Sequence, residues 1–158
     1  MSQKITPCFW YDGNALEAID FYAGIFEDVK ITATDYYTEA GPLPEGTVMF
    51  VEFTMNGNDF QAINAGPEFS FNEAISLSID CKDQTEVDYF WEKLGEGGEY
   101  GPCGWLKDKY GLSWQIAPRR LYELTRDPNK AKANAVMNAM LQMGKIDVAE
   151  LETAFANA

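Results

Sequence analysis

The stretch that decides the fold occurs twice, as NALEAIDFYAGI at residues 14–25 and as DQTEVDYFWEKL at residues 83–94. Each copy begins with a residue that commonly caps a helix N-terminus and has Glu three positions later, the pattern of a capping box. Apolar residues then recur at i, i+3, i+4 and i+7, so each predicted helix carries one apolar stripe. The stripes consist of Ala18, Phe21, Tyr22 and Ile25 in the first copy and Val87, Phe90, Trp91 and Leu94 in the second.

Predicted strands surround both helices. Alternating apolar residues indicate one strand before each helix, at residues 5–11 and 75–80. Later strands are indicated at residues 48–55, 60–64, near Trp105 and at 112–117, and Asn56-Gly57 is a typical hairpin turn. The loop at 34–46 makes the first copy longer. The pattern predicts an α+β fold of two tandem βαβββ modules, with chance similarity between two amphipathic helices as the alternative.

The predicted boundaries divide the chain into three parts. A paired βαβββ domain occupies residues 1–118, with modules at about 1–66 and 67–118 that we expect to form one cup-shaped mixed sheet. Residues 119–158 form a C-terminal extension of two helices, which begin near Asp127-Pro128 and at Asp147-x-x-Glu150. Because these helices carry apolar stripes, we expect them to cover a partner subunit of a homodimer or the mouth of the cleft.

The composition excludes several classes of function. The chain has 158 residues, with 25 acidic side chains against 12 basic ones, and its net charge of −13 disfavours nucleic acid and anionic membrane surfaces. No stretch predicts a membrane span or a signal sequence, so we expect a cytoplasmic protein. Three scattered cysteines indicate free thiols, and the absence of histidine excludes His-dependent catalysis and imidazole metal sites.

Several segments together resemble a known superfamily. These are TPCFWYDGNA at 6–15, FY at 21–22, FQAIN at 60–64 and WLKDKYGLSWQI at 105–116. With the βαβββ order, they resemble the vicinal oxygen chelate superfamily, and within it the PhnB-like branch whose members are often labelled 3-demethylubiquinone-9 3-methyltransferase domains. The resemblance implies a cup between two modules, and in related branches a metal is held there by His or Glu.

Carried over to this chain, the metal-ligand positions hold poor ligands. The last-strand positions fall on Gln61 and Gln115, and the first-strand positions fall near Thr6 or Pro7 and near Ala74 or Ser76. Without a carboxylate, imidazole or thiolate, a divalent ion lacks its main source of affinity, so we predict a metal-free site. The glycine-dense run 95–101 follows a helix rather than a strand, which disfavours an S-adenosylmethionine site. No cofactor is therefore predicted.

Strand alternation predicts the ligand-facing side chains. Gln61, Gln115 and Ser76 lie opposite the apolar face, where the two amides would contact a ligand or pair with each other. On the first strand we expect Cys8 and Trp10 to line the cleft, at the risk of a one-residue error in register. Trp10 and Trp105 are expected to stack on a planar ligand, with simple core packing as the alternative.

Two residues are candidates for catalysis. Glu52 lies among apolar strand residues and could act as a general acid or base, or face solvent. Cys8 could act as a nucleophile only if its pKa were lowered, and otherwise is a small apolar thiol. Lys107 is a possible counter-charge, although Lys107-Asp108-Lys109 is typical of a solvated turn.

Taken together, these features favour a cytoplasmic, homodimeric protein that binds a small organic molecule. The leading hypothesis is a metal-free enzyme acting on an unidentified small substrate. The alternative is sequestration without chemistry, as resemblance to bleomycin-resistance proteins implies. The residues alone do not decide whether the protein is an enzyme.

Overall fold

Both copies of the repeated stretch form helices in the computed structural model, which describes residues 5–158; residues 1–4 of the predicted first module lie outside this range. Each copy has the order βαβββ, so the predicted fold class is confirmed. The first comprises β1 (Cys8–Tyr11), α1 (Ala15–Ala23), β2 (Lys30–Tyr36), β3 (Val48–Met55) and β4 (Asn58–Asn64). The second comprises β5 (Leu77–Cys81), α2 (Gln84–Gly95), β6 (Glu99–Tyr100), β7 (Trp105–Lys107) and β8 (Ser113–Pro118). Three helices follow: α3 (Arg119–Thr125), α4 (Lys130–Met140) and α5 (Val148–Ala156).

The first compact unit ends at Phe71 and contains a sheet of strand order β1-β4-β3-β2. β1 and β4 run parallel, and the other neighbours are antiparallel. Asn56 and Gly57 both have positive φ, as the hairpin turn between β3 and β4 requires. One face of the sheet is buried and aromatic, with Phe60 stacked between Phe9 and Phe53 at ring-centroid distances of 5.6 and 5.5 Å.

The second unit, Asn72–Ala158, contains the equivalent sheet of order β5-β8-β7-β6. Its parallel pair aligns Ser78 with Gln115, just as β1 and β4 align Cys8 with Gln61. The two glutamines therefore occupy equivalent places in the two sheets. That the modules enclose a shared space stays a prediction.

Of the two predicted helix caps, the one on α2 is formed and the one on α1 is not. Asp83 accepts a hydrogen bond from the Glu86 amide at 3.0 Å, as expected for α2. Asn14 occupies the N-cap position of α1 but makes no side-chain cap. The Ala15 amide instead donates to Asn64 Oδ1 at 3.0 Å, so a residue of β4 caps this helix. Sequence-local reasoning could not identify a cap that comes from 49 residues away.

Several predicted boundaries shift. Ile5 and Ile75 are 85% and 66% exposed and precede the strands that they were expected to open. Residues 34–36 belong to β2 rather than to the long loop. Ile25 is buried but lies beyond the end of α1. Hydrophobic periodicity therefore does not fix where an element begins or ends, and a strand also needs a hydrogen-bonding neighbour.

The C-terminal extension contains one helix more than predicted, because α3 follows β8 directly. Asn129, not Asp127, caps α4, accepting hydrogen bonds from the amides of Ala131 and Lys132; Asp127 instead accepts one from the Asn129 amide. Asp147 caps α5 as predicted. The helices bury their own apolar cluster of Leu121, Leu124, Val136, Met143, Ile146 and Leu151.

This cluster changes the interpretation of the extension. Because the apolar stripes pack against one another, they do not require a partner subunit or the cleft mouth to cover them. The helices are joined to the second module through Gln84 of α2, which accepts a hydrogen bond from the Val148 amide and donates one to the Ile146 carbonyl. Along residues 5–158, no helix combines the length and apolar character that crossing a membrane demands.

Candidate functional site

A pocket of about 440 Å³ lies on the second module. Lys107 and Trp105 of β7 contribute to it, together with Glu99 of β6, Ser113 of β8 and, from flanking segments, Glu73 and Cys103. Cross-strand register pairs Lys107 with Ser113 and Trp105 with Gln115, so these four side chains share one face of the sheet. The opposite face, with Leu106 and Trp114, is buried beside α2. The pocket thus occupies the face that the helix leaves open.

Ser113 is the unusual residue of this pocket. It is 1% exposed, and its hydroxyl has no hydrogen-bond partner among the described residues. A buried hydroxyl without a partner costs free energy, commonly about 1–3 kcal/mol. A polar group bound in the pocket could form this hydrogen bond and remove the free-energy cost.

Lys107 supplies the positive charge of the pocket. Its ammonium contacts Glu73 at 2.5 Å and Glu99 at 3.8 Å. The hydrogen bond to Glu73 raises the pKa of Lys107 and lowers the pKa of Glu73, so both stay ionised at neutral pH. With two carboxylates around one ammonium, the lining carries a net negative charge.

Trp105 supplies an aromatic surface on the same face. It lies opposite Gln115, whose amide donates to the Ser76 hydroxyl at 2.8 Å. Tyr100 also borders the pocket, but its ring stacks on Trp91 of α2 at 4.9 Å, on the helix side of the sheet. Of these two rings, Trp105 is therefore the one that a ligand on the open face can stack on.

The open face of the first sheet carries another polar row. Cross-strand register aligns Cys8, Gln61 and Glu52 on neighbouring strands. Gln61 Nε2 donates to Glu52 Oε1 at 3.3 Å. Cys8 is exposed at the end of this row, and partial desolvation raises the pKa of its thiol. A raised pKa disfavours the thiolate that a nucleophile needs, so this environment does not activate Cys8.

Trp10 lies on the same face but is anchored within its module. Its indole N–H donates to the Gly66 carbonyl at 2.8 Å, and Phe69 packs edge-to-face against its ring at 4.9 Å. These contacts match the core-packing alternative more closely than a free stacking surface. Its half-buried ring still borders the open face of the sheet.

The predicted site residues therefore fall into two sets. The first module brings together Cys8, Gln61 and Glu52, with Trp10 on the same face. The second brings together Ser76, Gln115 and Trp105. Each of the two glutamines donates one hydrogen bond within its own module, and the alternatives of ligand contact and pairing between the glutamines stay predictions.

Sequence reasoning missed the polar lining of the pocket, namely Ser113, Glu73 and Glu99. Ser113 was identifiable in part, since alternation along residues 112–117 places it on the Gln115 face. The two glutamates carried no such signal, because one precedes β5 and the other lies on the two-residue strand β6.

The predicted solvated turn at residues 107–109 is wrong for its central residue. Asp108 is 2% exposed and accepts hydrogen bonds from the Tyr110 amide, the Leu112 amide and the Trp114 indole, the last at 2.8 Å. The carboxylate organises the turn between β7 and β8 from inside. A run of charged residues suggests exposure to solvent, but three hydrogen-bond donors can hold a carboxylate in the interior.

The superfamily's metal does not fit the side chains at the carried-over positions. Gln61 and Gln115 offer neutral amides, and their N–H groups are engaged with Glu52 and Ser76. Across residues 5–158, no three or more Cys, Asp or Glu side chains are grouped to hold a metal ion. The glycine-dense run begins at the last residue of α2 and extends through β6, and Gly97 in the turn between them has φ +75°.

Comparison with known proteins extends these observations. The family model described as 3-demethylubiquinone-9 3-methyltransferase matches residues 3–117. A solved structure from Bacillus cereus, described as a putative 3-demethylubiquinone-9 3-methyltransferase and PhnB protein, is 37% identical, with a TM-score of 0.65. The match covers 73% of this chain and 99% of that one.

A second structure, protein PA1353 from Pseudomonas aeruginosa, is 20% identical over 72% of this chain and 95% of its own, with a TM-score of 0.57, and supports the fold alone. No curated protein shows significant similarity to the chain. The family match ends at residue 117, so the C-terminal helices lie beyond it. The chain therefore belongs to the PhnB-like family of 3-demethylubiquinone-9 3-methyltransferase domains, whose fold is that of the vicinal oxygen chelate, or glyoxalase-like, proteins.

Proposed function

We propose that the pocket on the second module binds a small planar organic molecule without a metal ion. The observation that carries this proposal is the buried Ser113 hydroxyl, which has no partner in the described part of the chain and lies in the wall of a pocket of about 440 Å³ that Trp105 also lines. A pocket of this size suits a small ligand, and an apolar wall with few polar groups is typical of such sites. Family membership supports the binding of a small molecule.

Binding is better supported than catalysis at this pocket. Its ionised residues Lys107 and Glu73 form an ion pair that favours the charged form of both, and Glu99 lies 3.8 Å from the same ammonium. A general acid or base needs a pKa near the working pH, and these pairs move the pKa values of Lys107 and Glu73 away from neutrality. Affinity would come from apolar burial and from stacking on Trp105.

Calorimetric titration with planar aromatic compounds tests the proposal. We expect Trp105→Leu to weaken binding by up to about tenfold, because an aromatic stack contributes about 0.5–1.5 kcal/mol. The matched control is Trp10→Leu, which changes a tryptophan held by Gly66 and Phe69 and should leave affinity unchanged. Equal loss in both variants, or no binding by the wild-type protein, would contradict the proposal.

A metal-free enzyme is the second candidate, favoured by the row of Cys8, Gln61 and Glu52 in the first module. Here the Gln61 amide holds the Glu52 carboxylate on the open face, where it could accept a proton from a substrate. Turnover of small carbonyl, quinol or epoxide substrates should then disappear in Glu52→Gln and persist in Cys8→Ala. Unchanged turnover by Glu52→Gln, or no turnover of any of the three substrate classes by the wild-type protein, would exclude this role.

We further propose that the chain is a homodimer in the cytoplasm, as its sequence predicts. After the C-terminal cluster is formed, Met137 and Leu141 remain 41% and 54% exposed, one helical turn apart at the end of α4. This leftover apolar surface is a candidate subunit contact. Sedimentation equilibrium should give a dimer mass for the wild-type chain and a monomer mass for Leu141→Glu, with the exposed Ile75→Glu as control. A monomer mass for the wild-type chain would contradict the proposed homodimer.

A further inference from the structure

The distribution of charge in the pocket bears on which ligands it accepts. Glu73 and Glu99 place two carboxylates against the single ammonium of Lys107, in a chain whose net charge is −13. An anionic ligand could reach Lys107 only by displacing a carboxylate that already neutralises it. A cationic group that pairs with Glu99 competes only with the longer contact of Lys107, at 3.8 Å.

Glu99 is the carboxylate with unused capacity. Its distance to Lys107 is 3.8 Å, against 2.5 Å for Glu73, and its side chain is 79% exposed. It lies on the short edge strand β6, directly opposite Lys107 in the register. A ligand can therefore pair with Glu99 without breaking the shorter Lys107–Glu73 contact.

Two further features lie on the same face as this carboxylate. Trp105 offers an aromatic ring, and cations are attracted to the faces of such rings. Ser113 is 1% exposed, and its hydroxyl, which no described residue contacts by a hydrogen bond, can accept one from an ammonium N–H. The Ser113 hydroxyl is therefore a second observation, independent of the two carboxylates, that points to a bound polar group.

Resting on the proposed binding function, we propose that the pocket selects planar organic cations, in which an aromatic ring system carries an alkylammonium group, over neutral and anionic molecules of the same shape. The amine pairs with Glu99 and donates to Ser113, and the ring stacks on Trp105. Lys107 stays paired with Glu73, whose carboxylate offsets its positive charge.

Three probes of matched shape test this selection: 2-naphthylmethylammonium, 2-naphthylmethanol and 2-naphthoate, titrated calorimetrically into the full chain at pH 7 and low salt. We expect the ammonium compound to bind roughly two- to fivefold tighter than the alcohol, the range typical of an exposed ion pair. Naphthoate should bind most weakly. High salt should reduce the differences, because it screens exposed charges.

The variant Glu99→Gln should abolish the preference for the ammonium compound, while Glu96→Gln, which removes the same charge outside the pocket lining, should preserve it. Equal affinities for the three probes, or tighter binding of naphthoate, would overturn the charge selection and leave the binding function intact. An unchanged preference in Glu99→Gln would overturn the assignment to Glu99. Failure of all three probes to bind would count against the binding function itself.

Discussion

At the scale of single residues, Ser113 links stability to binding. Its buried hydroxyl has no hydrogen-bond partner within residues 5–158, so the folded protein carries a desolvation cost that the unfolded chain does not. A ligand that supplies the hydrogen bond recovers this cost. A binding site with an unsatisfied polar group is expected to lower the free energy of unfolding, because the group is kept for binding and not for stability.

We therefore predict that Ser113→Ala raises the free energy of unfolding by about 1 kcal/mol, the lower end of the penalty for an unpaired buried group. Urea denaturation measures the change, and Ser78→Ala, an exposed serine on the neighbouring strand, is the control expected to stay within about 0.5 kcal/mol. The same substitution should weaken binding of the naphthylmethylammonium probe. Destabilisation by Ser113→Ala would show that the hydroxyl has a partner.

Cys81 gives a pH-dependent prediction. Burial, followed by the charges of Glu86, Asp80 and Asp83, raises the pKa of its thiol from 9.0 to about 12. At pH 9 to 12 the unfolded chain releases this proton while the folded chain retains it, so the free energy of unfolding must fall with rising pH in that window. At about 1.4 kcal/mol per pKa unit, the loss is at most roughly 4 kcal/mol.

Denaturation curves between pH 8 and pH 11 should therefore show a smaller decline for Cys81→Ala than for the wild-type chain. Thiol labelling at pH 8 provides a second measurement, in which the exposed Cys8 reacts and the fully buried Cys81 does not. Rapid labelling of Cys81 in the folded protein, or parallel pH profiles for the two proteins, would contradict this assignment.

At the scale of elements, the first helix depends on a residue from another element. Asn64 accepts a hydrogen bond from the Ala15 amide and donates one to the Val48 carbonyl, so it ties α1 to the sheet. It is 4% exposed, and its own carbonyl accepts a hydrogen bond from Tyr37 at 2.7 Å. Asn14, the residue that the sequence pattern selects, makes no side-chain cap.

We predict that Asn64→Ala lowers the free energy of unfolding by about 2–3 kcal/mol, because it removes a cap and leaves buried groups unpaired. Asn14→Ala should cost less than about 0.5 kcal/mol. Chemical denaturation of the two variants makes the comparison directly. A larger effect at Asn14 would mean that the capping pattern in the sequence was the correct guide.

At the scale of the whole molecule, the chain adds a helical extension to a family domain. The family match ends at residue 117, and α3, α4 and α5 bury a cluster of their own. They are attached to the second module by Gln84 and by hydrogen bonds from the Cys103 and Gly104 amides to the carbonyls of Met143 and Gly144. Cys103 also borders the pocket, so the extension supports one wall of the site.

We predict that Gln84→Ala loosens this attachment, since it removes one acceptor and one donor that join α2 to the start of α5. Hydrogen exchange of amides in residues 143–150 should accelerate, with little change in the first module. Gln142→Ala, an exposed glutamine in the same region, is the control. Uniform acceleration throughout the protein would indicate global destabilisation instead.

The sequence alone was sufficient to determine the fold class, because that class follows from local periodicity and turn chemistry. The features that carried it are the repeat at residues 14–25 and 83–94, the alternation in the strands and the Asn56-Gly57 turn. Strand alternation also predicted that Gln61, Gln115 and Ser76 lie opposite the apolar face. Tertiary structure alone decided that Asn64 caps α1, that Asp108 is buried and that Glu73, Glu99 and Ser113 gather around Lys107. The physical reason is that these contacts join residues distant in sequence or elements too short to carry a pattern, so their energies depend on spacing in three dimensions.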